Sequence, residues 1–316
     1  MIIGVDIGGT KVAAGLVDGA GEISSKTRVP MVSTGDAETG FAAVKAAVAS
    51  IFEAAPEARG ALKGIGICSP GPLDPKTGVV LNPPNVPCWR NFPLAAATER
   101  AFGVAARIDN DANAAGLAEV LWGAASGYRN VFYATLGTGI GTGIVFDKRI
   151  YHGRTGSAAE GGHVTIDYRG PVCGCGKHGC IEALCSGPAI AMRARGMLAS
   201  DGNSKILELA GGEAARVRAE HVGQAWRAGD ALAKRVLEET AHLLAIWLGN
   251  IIDILEPDVM VVGGGVAELM SAFFERILEE IPAWSINSRA GEIPLVMARY
   301  GADAGIAGAA ALCGEM

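Results

Sequence analysis

The chain has 316 residues, of which half are hydrophobic, and a net charge of −6. That apolar fraction can bury a large core, and the length suits one large domain or two smaller ones. Lys and Arg are scattered with no basic run longer than two residues, which argues against a nucleic-acid or anionic-membrane surface. The 45 glycines are about twice the usual share of about 7 %. Without a G-X-Y period, they point to backbone sites with positive φ or close ligand approach.

In chain order, 2–7, 12–18 and 22–30 read as strands joined by Asp6-Ile7-Gly8-Gly9-Thr10-Lys11 and by a second turn at Asp18-Gly19. A helical period covers 40–54 and a short apolar strand 62–68. Proline-rich 69–92 reads as an irregular excursion. A helix near 93–102, a strand at 104–109 and a helix at 111–123 close the first half. The second half opens on strands 130–136 and 141–147 around another glycine turn. A loop-rich section at 152–182 holds clustered cysteines. Helices follow at 187–198, 203–211 and 229–254, then strand 258–262, helix 266–280, strand 294–298 and helix 302–313. Each half therefore starts with a glycine-turned hairpin ending in an acid, Asp18 or Asp147, and continues as alternating helices and strands. This pattern predicts two related α/β lobes with a ligand cleft between them.

The start, Met1-Ile2-Ile3-Gly4-Val5-Asp6, lacks the basic segment of a signal peptide. The most apolar helical stretch, 243–255, is interrupted by Gly249, Asn250 and Asp253 and is too short to span a bilayer. Seven cysteines, four of them between Cys173 and Cys185, suit metal binding in a reducing compartment better than disulfides. The expectation is a cytoplasmic protein with no membrane partner.

Five segments carry chemistry. In Asp6-Ile7-Gly8-Gly9-Thr10-Lys11, glycine amides can approach phosphate oxygens, Thr10 and Lys11 add donors, and Asp6 can hold Mg²⁺ through water. The motif is neither a Walker A loop nor a dinucleotide fingerprint, because Gly8-Gly9 leads into another strand. Gly137-Thr138-Gly139-Ile140-Gly141 and Gly263-Gly264-Gly265 are two further glycine turns. The second of these precedes a helix N-terminus that favours phosphate or a ribose edge. In Asp109-Asn110-Asp111-Ala112-Asn113, Asn110 or Asp111 suits a helix N-cap, while one carboxylate suits a base acting on an alcohol during phosphoryl transfer. Glu160-Gly161-Gly162-His163, nine residues, then Cys173-x-Cys175-x4-Cys180 supplies three thiolates and an imidazole for a closed tetrahedral zinc site. His163 and His178 both fit the fourth position on spacing alone. Glu160 and Glu182 bracket this loop and can bind sugar hydroxyls.

Together the DIGGTK, NDANAA and E-x-G-H–x9–C-x-C-G-x-x-G-C-x-E signatures closely resemble the ROK (repressor, open reading frame, kinase) family, over nearly the whole chain to Asp303-Ala-Gly-Ile-Ala-Gly. The resemblance implies two ribonuclease-H-like lobes of the actin/hexokinase type with an interlobe cleft. The small lobe is expected at 1–118, with 300–316 packing back on it. The larger lobe is expected at 119–299, with its zinc loop at 160–182. The implied activity is ATP-dependent phosphorylation of a hexose, with glucose at O6 first. N-acetylmannosamine, N-acetylglucosamine, fructose or allose are alternatives, and a catalytically silent sugar sensor is an alternative of another class. By resemblance, Asp111 is the base and Gly71, Asn85, Asn110, Asp111, Glu160, His163 and Glu182 are sugar ligands. The resemblance also favours His163, with Cys173, Cys175 and Cys180, as the zinc set. Asp6, Gly8, Gly9, Thr10, Lys11, Gly137, Thr138, Gly139, Gly264 and Gly265 are then the Mg-ATP site. A homodimer is implied. The N-terminal position of Asp6 leaves no room for the DNA-binding segment that precedes this motif in the family's repressors. One departure is Cys88, where many glucokinase-like members have Gly. It is expected to add bulk beside the sugar loop.

Overall fold

The computed structural model describes residues 1–199 and 204–314. The first residue of the helix expected at 203–211 and the last two residues of the segment 300–316 lie outside them. The elements run β1 (Ile2–Ile7), β2 (Lys11–Val17), β3 (Ile23–Pro30), α1 (Ala37–Ala54), α2 (Ala58–Ala61), β4 (Gly64–Ser69), β5 (Leu73–Asp74), β6 (Val79–Val80), α3 (Leu94–Phe102), β7 (Ala106–Asn110) and α4 (Asp111–Leu121). They continue with β8 (Asn130–Leu136), β9 (Ile140–Phe146), β10 (Arg149–Ile150), α5 (Ile181–Cys185), α6 (Gly187–Leu198), α7 (Lys205–Leu209), α8 (Ala219–Arg227) and α9 (Ala231–Leu255). The chain closes with β11 (Val259–Gly263), α10 (Gly265–Met270), α11 (Phe274–Glu280), β12 (Leu295–Met297) and α12 (Ala304–Ala311).

The first sheet has the order β3-β2-β1-β4-β7 and the second β10-β9-β8-β11-β12. Numbered within each half, both read 3-2-1-4-5, so the internal repeat expected from glycine-turned hairpins is present in the topology. In the first sheet β1, β2 and β3 are antiparallel, while β1, β4 and β7 run parallel. Parallel strands covered on both faces need near-continuous apolar runs, and β4 (GIGICS) is buried throughout. Edge strand β3 alternates half-buried and exposed residues.

Strand alternation divides the core of this sheet. Ile3, Val5 and Ile7 pack with Phe41, Val44, Val48 and Ile51 of α1, and Ile2, Ala13 and Val17 pack with Ile306 and Ala310 of α12. The second contact is unusually close. A Cβ at Gly4 would lie 2.0 Å from the Ile306 carbonyl oxygen, and one at Gly66 would lie 1.7 Å from that of Ala309. Only glycine in β1 and β4 lets the backbone of α12 approach this far. Two glycines outside the phosphate and cysteine motifs are thus explained by helix packing.

Contacts divide the chain into two compact units, Met1–Tyr133 with Gly143–Ala159 and Ala298–Met316, and Ala134–Thr142 with Glu160–Met297. In the second unit, α9 is capped by Asp230, whose carboxylate accepts from Ala233 N at 2.8 Å, and buries Trp247 completely. Three local expectations change. The helix expected at 266–280 is α10 and α11 separated by a 3₁₀ turn at Ser271–Phe273. The excursion 69–92 contains the β5–β6 ribbon. Helices α5 and α8 lie outside the expected elements, and α8 buries Ala219, Val222, Gly223 and Ala225 on one face. Among the described residues no helix is long and apolar enough to cross a membrane.

Candidate active site

In the first unit the junction of β7 and α4 carries the Asp109–Asn113 segment. Asn110 is the N-cap of α4, and its Oδ1 accepts from Ala112 N at 2.9 Å and Asn113 N at 3.3 Å. Asp111 begins the helix, is exposed, and accepts from Ala112 N at 2.8 Å. The capping role expected of this segment falls to Asn110, which frees neither residue from a role toward a ligand.

The β1–β2 turn is closed by Gly8 N donating to Lys11 O at 2.9 Å. Asn85 adjoins it, since a Cβ at Gly9 would lie 2.7 Å from the Asn85 carbonyl oxygen. Gly71 follows β4 and precedes a cis bond to Pro72. Asp6 lies below the turn, where the buried Cys68 thiol donates to its Oδ1 at 3.4 Å and to Gly305 O at 3.2 Å. Burial holds the Asp6 carboxyl above the usual carboxylate range, against the lowering effects of Cys68, Lys11 and Arg28. Burial, and next the charges of Asp6 and Asp111, push the Cys68 thiol up. Cys88 follows the Asn85 loop by three residues. Its side chain is buried in the core, so that a Cβ at Gly40 of α1 would lie 2.6 Å from Cys88 Sγ.

In the second unit the ligand atoms of His163, Cys173, Cys175 and Cys180 lie within 4.8 Å of one another. The Cys175 and Cys180 sulfurs are 3.7 Å apart, and Cys173 Sγ is 3.6 Å from His163 Nδ1. Zn–S bonds of about 2.3 Å and Zn–N bonds of about 2.0–2.1 Å at tetrahedral angles imply separations of about 3.8 and 3.6 Å, so the donor set fits zinc. Burial first, then the neighbouring sulfurs, pushes the Cys180 thiol up to about 12, whereas the backbone amide of Lys177 holds the Cys175 thiol below its ordinary value. His178 stands outside this set, with its Nδ1 3.3 Å from Gly170 O. Glu182 borders the set through Oε1, 3.6 Å from Cys173 Sγ, and accepts from Ile140 N at 2.9 Å through Oε2. The Glu160–His163 turn is pinned by Gly161, whose N donates to Thr142 Oγ1 at 2.8 Å and whose O accepts from Trp247 Nε1 at 3.1 Å. A Cβ at Gly162 would lie 1.9 Å from Ile140 O, so only glycine fits there.

The remaining glycine turns of the second unit meet at a cavity of 1330 Å³, whose lining includes Gly137, Thr138, Gly187 and Gly265. Gly187 N donates to Gly137 O at 2.8 Å. Gly264 has φ +91°, and a Cβ there would lie 2.5 Å from Leu136 O, which seats the start of α10 against the end of β8. Gly139 instead adjoins Glu182, whose Oε2 would be 2.6 Å from its Cβ.

Residues 2–315 match the ROK family. The chain belongs to this family. It is 34 % identical over 315 residues to a glucokinase of Thermotoga maritima, covering 99 % of this chain and 97 % of that protein. It is also 34 % identical to an N-acetylmannosamine kinase of Escherichia fergusonii, over 98 % of this chain and 97 % of that one. Among solved structures it resembles a ROK family glucokinase from Streptomyces griseus in complex with glucose and AMPPNP, with a TM-score of 0.80, 35 % identity and 98 % of each chain covered. The α/β architecture with two sheets is thus that of ROK hexokinases.

Two groups escape sequence reading, one in each unit. Arg195, Arg216, Arg218 and Arg227 line the cavity, and among the described residues only Arg216 has an acid partner, Glu213 at 2.9 Å. They come from α6, α8 and the turn between α7 and α8, and nothing in their spacing signals convergence. The His152 ring is hydrogen-bonded to the carboxylate of Asp109, 43 residues away.

Proposed function

We propose that the chain is an ATP-dependent hexose kinase that phosphorylates glucose at its 6-hydroxyl. The observation that carries this reading is the end-to-end likeness to a glucokinase crystallised with glucose and AMPPNP. Asp111 is the base. Its ordinary pKa of about 3.9 lies far below that of a sugar hydroxyl, so it takes the proton late, as phosphoryl transfer makes the hydroxyl acidic. Its work is orientation more than basicity.

Glu160, His163 and Glu182 bind sugar hydroxyls, with Gly71, Asn85 and Asn110 as further ligands. With Nδ1 committed to the metal set, His163 keeps Nε2–H as a donor of fixed tautomer for a hydroxyl. Zinc on His163, Cys173, Cys175 and Cys180 is structural and holds the 160–182 loop. Gly8, Gly9, Thr10 and Lys11, with Gly137, Thr138, Gly139, Gly264 and Gly265, take the nucleotide. The unpaired arginines of the cavity suit its anionic chain. Asp6 would hold Mg²⁺ through water, and the ion would supply neutralisation of phosphoryl charge. The protein acts as a cytoplasmic homodimer, and sedimentation at twice the chain mass tests that assembly.

The N-acetylmannosamine kinase relative, equally identical over its full length, favours a second reading in which that sugar is the substrate. Coupled ADP release across glucose, N-acetylmannosamine, N-acetylglucosamine, fructose and allose decides. Glucose is expected to have the highest kcat/KM. A higher value for N-acetylmannosamine selects the second reading, and no ADP release with any sugar overturns both.

A further inference from the structure

His152 belongs to none of the segments given a role above, yet it completes the hydrogen bonding of the residue two before Asp111. Asp109, the last but one residue of β7, is almost fully buried, 3 % exposed. Its Oδ1 accepts from Asn110 N at 2.7 Å and from Asn113 Nδ2 at 3.1 Å. Its Oδ2 is met by His152 Nε2 at 2.5 Å. An ionised carboxylate only accepts, so Nε2 carries the proton of this contact whatever the charge on the ring. His152 is held in turn, because its carbonyl accepts from Gly156 N at 3.1 Å and Ala158 N at 3.3 Å. The ring therefore projects from a closed turn onto the β7–α4 corner, all within the first unit.

This corner has no slack. Asn113 Oδ1 is buried without a hydrogen-bond partner, so the bond from Nδ2 to Asp109 is what fixes that amide. The Asn110 N–H that Asp109 holds belongs to the Asp109–Asn110 peptide, directly before the peptide that leads into Asp111, and Asn113 lies in the first turn of the helix that Asp111 begins. Rotation of the Asp109 carboxylate would therefore release both. Removing the ring would strand a buried carboxylate oxygen, which costs far more than a hydrogen bond lost at the surface. We infer that His152 is a positioning residue: by pinning Asp109 it fixes the Asn110–Asp111 backbone, and thereby the direction in which Asp111 meets the sugar hydroxyl. The inference rests on the reading of Asp111 as base.

The test is steady-state kinetics with the preferred hexose and ATP, alongside melting, for full-length wild type and five variants: His152→Ala, His152→Asn, His152→Gln, His152→Ala with Asp109→Asn, and Asp111→Asn. His152→Ala should lower kcat about tenfold or more with both KM values within about threefold. His152→Gln places an amide N–H at the reach of Nε2 and should recover most of that loss, while the shorter His152→Asn should not. The double variant should exceed His152→Ala, because a neutral amide at 109 leaves no orphaned charge. A His152→Ala kcat within threefold of wild type overturns the inference. So does a loss in which KM moves as much as kcat and Gln does no better than Ala. Should His152→Ala fail to fold, the Gln and Asn variants decide, and equal kcat for the two overturns it. Near-normal turnover by Asp111→Asn would instead sink the base assignment itself. An inactive Asp111→Asn beside an unimpaired His152→Ala sinks only the positioning role.

Discussion

The sulfurs of Cys175 and Cys180 lie 3.7 Å apart. That is far beyond a disulfide bond of about 2.05 Å and close to the about 3.8 Å spacing of two thiolates on one tetrahedral zinc. The neighbouring carboxylate of Glu182, 3.6 Å from Cys173 Sγ and 3.9 Å from His163 Nδ1, ties this cluster to two residues assigned to the sugar. On the proposed assignment of His163 and Glu182 to the sugar, the metal loop would also shape the sugar pocket.

Metal analysis of the purified protein should find about one zinc per chain, and Cys175→Ser or Cys180→Ser should lose it. Because metal binding to the folded state alone adds to folding free energy, its removal should lower Tm by several degrees. The KM for sugar should rise more than the KM for ATP, since His163 and Glu182 lose their support. Metal-free protein with unchanged melting and full activity would refute the structural zinc.

Asp111→Ala should lower kcat by about 10²–10⁴-fold, the range for a lost general base. Its carboxylate is exposed at the first position of α4. Melting should therefore move little. Asn110→Ala separates the neighbouring role, because loss of the cap costs about 1 kcal/mol of stability. Turnover of Asp111→Ala within threefold of wild type would exclude it as the base.

What was legible in the sequence follows the range of the interactions. Asp109–Asn113 was legible because a strand end, a cap and a helix start are local events. The cysteine spacing marked a metal-type cluster but left His163 and His178 equivalent, because spacing says nothing about ring direction. The structure separates them, with the His178 ring at Gly170 O. Gly4 and Gly66 had no motif at all. Their reason is a helix that begins at Ala304, more than two hundred residues later. His152 fails for the same cause, its partner Asp109 lying 43 residues away, and the cavity arginines fail because no period connects the elements that carry them.

Asp6 carries a pH signature. Burial raises its folded pKa above that of the unfolded chain, so the native state binds the proton more tightly. Stability from this group is therefore full below the ordinary carboxylate range and is lost as pH rises through the raised folded value. Asp6→Asn removes that loss. Its Tm should exceed wild type at pH 7, with an advantage that shrinks as the pH is lowered through the carboxylate range. Its kcat should fall, since the amide is a poorer partner for hydrated Mg²⁺. An advantage in Tm that is constant across pH 4–8 would show that Asp6 does not titrate out of register with the unfolded state.

Cys88 invites a substrate prediction because many glucokinase-like relatives are expected to have glycine there. The structure redirects it toward stability. Cys88 is 8 % exposed, its N donates to Ser33 O at 2.9 Å, and its sulfur fills the space above Gly40. The adjacent Trp89 donates from Nε1 to Ala37 O at 3.1 Å, so both side chains belong to the seat of α1. Cys88→Gly leaves a small cavity and adds backbone freedom to the unfolded chain, a combined cost of about 1–3 kcal/mol. Melting should fall accordingly, and Gly40→Ala, which drives a methyl into the same sulfur, should destabilise as well. The ratio of kcat/KM for glucose to that for N-acetylglucosamine should stay within about threefold of wild type in Cys88→Gly. A larger change in that ratio, with Tm unchanged, would return Cys88 to the sugar pocket and remove it from the core.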